Sequence, residues 1–169
     1  MRKLLDALYG CTAALAAFFM VALLVAVILS ILSRQFGFLI SGIDAYAGYL
    51  MAAVGFLSLA HTLKKNEHIR VTLLINALKG PARKAIEVWA LFAAAVLSGL
   101  FAYFSIKLTF DSYQFHDIST GNDATPLWIP QLGMAVGTLI LLIAFIDELV
   151  LEWRGQRSHA VPDEAVRNE

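Results

Sequence analysis

Residues 7–33 read ALYGCTAALAAFFMVALLVAVILSILS, and this stretch carries no formal charge. A helix needs about 20 consecutive apolar residues to cross about 30 Å of hydrocarbon. The stretch is therefore long enough to span a membrane, and three later stretches have the same character. The four predicted spans follow the order of the chain: residues 9–33, 45–63, 88–106 and 127–146.

Each predicted span must be helical, because an unpaired backbone group is costly in lipid and four short segments cannot close a barrel. The composition agrees, since 59% of residues are hydrophobic and 15% are charged, against about 45–50% and 25% in soluble domains. We therefore predict an all-α membrane protein with four transmembrane helices in a single domain, residues 1–154. The formal net charge is zero, so no nucleic-acid partner is expected.

The distribution of basic residues predicts the orientation in the membrane, because cytoplasmic loops carry an excess of Lys and Arg. Only Arg34 and Lys107 fall on one side, whereas the other 11 of the 13 basic residues fall on the side of the chain termini. Both termini are therefore predicted to be cytoplasmic. The tail at 155–169 is polar and lacks an apolar stripe, which predicts disorder.

The segment 67–79 is too polar to span a membrane, yet it has a helical pattern. Its apolar residues recur at i, i+3, i+4 and i+7: Val71, Leu74, Ile75 and Leu78. This predicts an amphipathic helix between the second and third spans, lying in the interface among membrane lipids. Residues 68–73 also alternate with period two, so a short strand is the competing prediction, although its unpaired edge would be costly at membrane depth.

Aromatic residues occur near the predicted ends of the spans. Tyr and Trp prefer the level of the lipid headgroups, which favours anchoring over simple packing between helices for this group. Its members are Tyr46, Tyr49, Trp89, Tyr113 and Trp128.

Small residues recur at four-residue intervals in three of the spans, and such spacing lets helix backbones approach closely. The pairs are Gly48 and Ala52, Ala95 and Gly99, and Gly133 and Gly137. This pattern fits contacts within the chain's own bundle and contacts with a partner equally well.

Residues that carry chemistry are missing from the predicted spans. Ionisable groups inside a membrane mark ion or substrate paths, and the span interiors contain no Asp, Glu, Lys or Arg. His61 is the one histidine in a span, and a hydrogen bond to nearby backbone explains it better than haem ligation, which draws on facing helices. No clustered ligand spacing predicts a metal. No phosphate-binding or nucleophile motif predicts a cofactor or an enzyme.

Two stretches carry a family resemblance. Residues 55–71 read GFLSLAHTLKKNEHIRV, and residues 125–137 read TPLWIPQLGMAVG. Over about residues 10–150, the chain resembles the small, DctQ-like membrane subunit of tripartite ATP-independent periplasmic (TRAP) transporters. The resemblance implies a bacterial inner-membrane complex with a large multi-span permease subunit and a periplasmic solute-binding protein. It also implies sodium-driven import of organic acids or related solutes, with the small subunit enlarging the stationary scaffold.

Several positions match the family's motifs, and these are the residues for which the resemblance implies contact with the large subunit or lipid. Arg34 matches a basic residue after the first helix, and Gly55 matches a glycine inside the second. The remaining candidates are His68, Ile69, Arg70 and Val71, which open the interfacial helix, and the pair Gly133 and Gly137.

The chain departs from the family at two acidic positions. Ala45 stands where an acidic residue often begins the second span, with Asp44 one place earlier. Thr72 stands where an aspartate is usual. The resemblance therefore does not extend to an ion pair made by either acid.

The loop after the third span is acidic and is predicted to face outward. Asp117 and Asp123, with Trp128 at the base of the loop, are candidates for touching the binding protein when it docks, and a merely solvated loop explains them equally well. Two other functional classes remain open. A stand-alone four-helix exporter acting as a dimer would depend on Asp44 or His61, and a membrane redox protein would carry a visible chromophore.

Overall fold

The computed structural model describes residues 2–38, 40–65, 81–121 and 123–154. Each of its four helices is long and apolar enough to cross a membrane, which confirms the predicted all-α membrane fold. The helices are α1 (Arg2–Phe36), α2 (Ile43–Lys64), α3 (Pro81–Gln114) and α4 (Trp128–Trp153). Three predicted features lie outside the described residues: the amphipathic helix at 67–79, the competing strand at 68–73 and the polar tail at 155–169.

The helices extend beyond the charge-free stretches that predicted them. The difference is largest in α3, where the predicted span ends at residue 106 but the helix continues through Lys107 to Gln114. A charged residue limits the part of a helix that lies in hydrocarbon, but it does not break the helix, because the backbone hydrogen bonds are internal. The connection between α1 and α2 instead contains Gly37 and Gly42, whose φ angles of 70° and 79° favour glycine.

The helices pack in the spatial order α1, α2, α4, α3. The central helices α2 and α4 run parallel, since Ala53 lies against Gly133 and Lys64 pairs with Asp147. We name the two ends of the bundle the Arg34 end and the Lys64 end. An apolar cluster from three helices fills the core toward the Lys64 end, and its buried members are Tyr9, Ala60, Leu63, Ile140, Leu141 and Ala144.

The face of α3 that is buried consists mainly of small and hydroxylated side chains. They recur at three- and four-residue intervals and are Ser98, Ala102, Ser105, Thr109 and Ser112, preceded by Leu91. Small side chains let two helices approach closely in a membrane, and α3 uses this stripe on its neighbour α4. The predicted Ala95 and Gly99 pair lies beside the stripe, with Gly99 near Leu142.

Large apolar side chains cover the outward surface of the two flanking helices. On α1 they include Phe18, Met20, Val21 and Leu24, and on α3 they include Phe92, Leu97 and Phe104, all exposed. A patch of this size does not stay in contact with water. The surface of α1 and α3 is therefore one that lipid or another membrane helix covers.

Candidate functional site

Gly133 and Gly137 lie in the contact between the chain's own central helices. A Cβ atom at Gly137 would lie 2.6 Å from the backbone carbon and oxygen of Phe56, and one at Gly133 would lie 3.2 Å from the Cβ of Ala53. At Gly137, only a residue without a side chain allows α2 to approach α4 so closely, and at Gly133 a side chain would make a tight contact. The structure thus assigns this pair to packing within the bundle.

Gly48 and Gly55 on α2, in contrast to Gly133 and Gly137, lie on an open surface of the bundle. Both are exposed, and a Cβ atom at either position would meet no atom within 4 Å. Their spacing of seven residues places them on one face of the helix. Gly55, the glycine that matches the family motif, is therefore on a surface of α2 that the described part of the chain leaves open.

At the Arg34 end, α1 and α2 are joined by an ion pair that the family pattern did not predict. Asp44 Oδ2 accepts a hydrogen bond from Arg34 Nη2 at 2.7 Å, and Asp44 Oδ1 accepts one from Ser30 Oγ at 2.7 Å. Asp44 therefore forms an ion pair although Ala45 holds the family's acidic position. Both side chains are exposed, at 72% and 68%, so the pair contributes little to stability in water and mainly fixes how α2 follows α1.

The loop between α3 and α4 is tied to the Arg34 end of α2 by two tyrosines. The Tyr49 hydroxyl lies 2.8 Å from Ser119 Oγ and donates to Asp123 Oδ2 at 3.1 Å. Thr125 Oγ1 donates to the Tyr46 hydroxyl at 3.1 Å. These rings were predicted as headgroup anchors, and their hydroxyls show a second role, because they hold the loop against the bundle.

Asp123 packs against the start of α2 as well. A Cβ atom at Gly42 would lie 2.6 Å from the Cβ of Asp123, so glycine is required there for space as well as for its positive φ. A side-chain hydrogen bond from Thr125 lowers the pKa of Asp123 below its ordinary value of 3.8; burial opposes this, and Ser119 and Tyr49 add to it. The carboxylate is therefore ionised at neutral pH.

The other two docking candidates are placed differently from Asp123. The side chain of Asp117 is exposed on the same loop, while its carbonyl accepts a hydrogen bond from the Leu127 N–H at 2.9 Å. Trp128 packs edge-on against Tyr113, with ring centroids 5.7 Å apart. Of the three candidates, Asp117 is the one whose carboxylate is presented to the surroundings, whereas Asp123 is engaged in holding the loop.

Removing the Tyr49 hydroxyl should loosen this loop. In Tyr49→Phe, hydrogen exchange at the Ser119 and Leu127 N–H groups is expected to accelerate about fivefold, the effect of losing one hydrogen bond. Because the folded pKa of Asp123 is lowered, the stability that its ionised carboxylate gives the loop is fully present above pH 3.8. That stability is lost as the pH falls through the folded pKa. The effect should thus be equal at pH 7 and at pH 5. Tyr103→Phe, on the exposed face of α3, is the matched control, and equal exchange in both variants would contradict the contact.

At the Lys64 end, one lysine joins α2 to two acids of α4. Lys64 Nζ forms ion pairs with Asp147 and, at 3.0 Å, with Glu148 Oε1. The Lys64 side chain is 19% exposed and that of Glu148 is 8% exposed, so this pairing is screened less than the one at Arg34. The ammonium group also lies 5.4 Å from the centre of the Tyr9 ring, which brings α1 into the same cluster.

Sequence reasoning missed the Lys64 cluster. In the sequence, Lys64, Asp147 and Glu148 directly follow charge-free spans, and the prediction pairs none of them. The sequence did carry a signal, because α2 ends in basic residues and α4 carries acidic residues near its end, at the same predicted side of the membrane. If the two helices are parallel neighbours, these opposite charges come together. A further ion pair toward this end joins Arg83 Nε to Glu87 Oε1 at 3.1 Å within α3.

The interfacial candidates His68, Ile69, Arg70 and Val71, together with Thr72, lie outside the described residues. His61 is half-buried on α2. Within the described ranges, no group of three or more His, Cys, Asp or Glu side chains is placed to hold a metal ion.

Comparison with known proteins agrees with the architecture. The profile of a family described as "Tripartite ATP-independent periplasmic transporters, DctQ component" matches residues 23–155, which is more than half of the chain. Among curated proteins, the chain is similar to the "C4-dicarboxylate TRAP transporter small permease protein DctQ" of Rhodobacter capsulatus, with 26% identity over 89 residues. That alignment covers 52% of this chain and 38% of the relative's length.

Proposed function

Because the chain belongs to the DctQ-component family of TRAP transporters, we propose that it is the small scaffold subunit of a TRAP-type secondary importer. Its partners are a large multi-span permease subunit and a periplasmic solute-binding protein. The complex takes up organic acids or related small solutes together with sodium. The curated relative, whose name specifies C4-dicarboxylates, supports that class of solute.

The position of the buried charges supports a scaffold role. Among the residues that the structure describes, the buried charged side chains are Glu87, Glu148 and Glu152. All three lie toward the Lys64 end, and the packed middle of the bundle consists of apolar and hydroxylated residues. A path for an ion or an ionic solute needs polar or ionisable groups along its length, so substrate and sodium sites belong to the large subunit.

In this proposal the chain sits in the bacterial inner membrane with both termini in the cytoplasm. The excess of Lys and Arg on the side of the termini supports this orientation. The Arg34 end and the α3–α4 loop then face the periplasm, where Asp117 is accessible to a binding protein. Within that loop, Asp123 serves mainly to fix its shape.

The test is purification and reconstitution with defined partners. We expect the tagged chain to retain the co-expressed large subunit in mild detergent. We expect solute accumulation in proteoliposomes only when both membrane subunits and the binding protein are present. Accumulation of a solute against its gradient by this chain alone would contradict the proposal and favour a stand-alone exporter.

A further inference from the structure

A groove lies between the start of α3 and the end of α4, at the Lys64 end of the bundle. Its volume is about 390 Å³, and the described residues that line it are Lys84, Ala85 and Val88 of α3 and Trp153 of α4. This lining is apolar and aromatic except for the Lys84 side chain. The volume falls within the range of about 300–1,000 Å³ that is usual for small-molecule sites.

The groove lies at the level of the lipid headgroups. Val88 is the first residue of the charge-free stretch 88–106, so it marks the edge of the hydrocarbon. Lys84 lies four residues nearer the start of α3, or about 6 Å at 1.5 Å per residue. A bilayer is about 40–45 Å thick and its hydrocarbon about 30 Å, which leaves about 5–7 Å for the headgroups on each side. The Lys84 ammonium group is therefore level with the lipid phosphates.

The two large side chains of the groove lean in opposite directions along the membrane normal. Helical side chains lean toward the N-terminus of their helix, and α3 begins at this end of the bundle whereas α4 ends there. Lys84 therefore leans toward the phosphates and water, and the indole of Trp153 leans back toward the hydrocarbon. The groove thus offers a positive charge at its outer end and an apolar wall at its inner end.

The positive charge beside the groove is not cancelled by the acids of the same turns. Glu87 and Glu152 are buried, and Glu87 is paired with Arg83. Lys84 and Arg154 are both exposed, and neither belongs to an ion pair of the described ranges. The open side of the groove therefore attracts an anion.

We propose that this groove binds an anionic phospholipid, whose phosphate pairs with Lys84 and whose acyl chain lies along Val88 and the ring of Trp153. Basic pockets between membrane helices on the cytoplasmic side are suited to anionic headgroups, and tryptophan prefers the same level of the membrane. Because the lipid touches both walls, it links the first turn of α3 to the last turn of α4. The inference does not depend on a role in transport, and the orientation proposed above places the lipid in the cytoplasmic leaflet.

The first test measures quenching of tryptophan fluorescence by brominated lipids in mixed micelles. Trp89→Phe and Trp128→Phe together leave Trp153 as the single tryptophan. Brominated phosphatidylglycerol should occupy the site about fivefold more readily than brominated phosphatidylcholine, the effect of one basic side chain near a membrane surface. The matched control keeps Trp89 instead, because Trp89 is exposed on the outward face of α3 and should show little preference between the two lipids.

Variants of the single-Trp153 chain separate the effect of charge from that of shape. Lys84→Met should remove the preference for phosphatidylglycerol, and Lys84→Arg should keep it. Ala85→Phe fills the groove without changing its charge, so it should weaken quenching of Trp153 by both lipids. Lys107→Met removes an exposed lysine near the other end of α3 and should leave the quenching unchanged.

Two results would overturn the assignment to a lipid. One is equal quenching of Trp153 by the two lipids, or a preference for phosphatidylglycerol that survives Lys84→Met. The other is loss of the preference on addition of inorganic phosphate but not of chloride at equal ionic strength, which would assign the groove to a soluble anion. Neither result bears on the proposed function, which retention of the large subunit tests separately.

Discussion

Gly137→Ala is expected to lower the free energy of unfolding by about 2 kcal/mol, within the range for overpacking a tight contact. The new Cβ atom would lie 2.6 Å from the backbone carbon and oxygen of Phe56. A flexible side chain could rotate away, but a helix backbone cannot, so α2 and α4 must separate. The separation would loosen the contact that joins the two halves of the bundle.

A graded series of glycines tests this prediction within one protein. Gly133→Ala meets Ala53 at 3.2 Å and should have a smaller effect, whereas Gly55→Ala meets no atom within 4 Å and should keep stability or raise it by up to about 1 kcal/mol, because alanine favours a helix interior. The measurement is thermal unfolding of the purified chain in detergent. If Gly137→Ala and Gly55→Ala unfold at the same temperature, the close approach of α2 and α4 is absent.

The same series separates packing from assembly. Gly55 lies on an open face of α2, so Gly55→Ala can weaken retention of a partner without lowering the stability of the chain itself. Gly137→Ala should instead act on stability first, so any weaker retention of a partner should follow from the loss of stability. The sequence analysis groups Gly55 and Gly137 as candidates for contact with the large subunit or lipid, because neither a family motif nor a four-residue spacing tells which neighbour a helix face meets.

The fold class was predictable because hydrocarbon imposes a simple rule on length and charge. The four charge-free stretches are confirmed as helices that can span a membrane. The ends of those helices were less predictable, since α3 continues through Lys107 to Gln114. A charge such as Lys107 limits the part of a helix that lies in hydrocarbon, but it does not mark where the helix itself ends.

The contacts at both ends of the bundle required the tertiary structure. Tyr49 was recognised as a residue for the membrane surface, but its bond to Asp123 depends on how the α3–α4 loop folds back over α2. The buried stripe of α3 was missed because serine and threonine do not register as core residues in an apolar pattern. In a membrane, small hydroxylated side chains pack well between helices, so hydrophobicity alone does not identify the buried face.

Lys64→Met is expected to cost about 3 kcal/mol, the lower end of the range for removing one partner of a buried ion pair. The lower end applies because the Lys64 and Asp147 side chains are still 19% and 21% exposed. Without the ammonium group, Asp147 and Glu148 remain next to each other, and their repulsion adds to the lost attraction. The attachment of α4 to α2 at the Lys64 end would then weaken.

A double-mutant cycle isolates this contact from general effects of charge. Lys64→Met combined with Asp147→Asn should recover part of the loss, because the carboxylate of Asp147, which has lost its Lys64 partner, is removed, and the coupling should lie between about 0.5 and 3 kcal/mol. The control is Lys65→Met, the exposed neighbour at the end of α2, for which little change is expected. Both are measured by unfolding in detergent at constant salt. Equal stability of Lys64→Met and Lys65→Met would show that the ion pairs of Lys64 do not hold α2 to α4, because both variants lose one lysine charge at the end of α2 and only the charge of Lys64 is paired with α4.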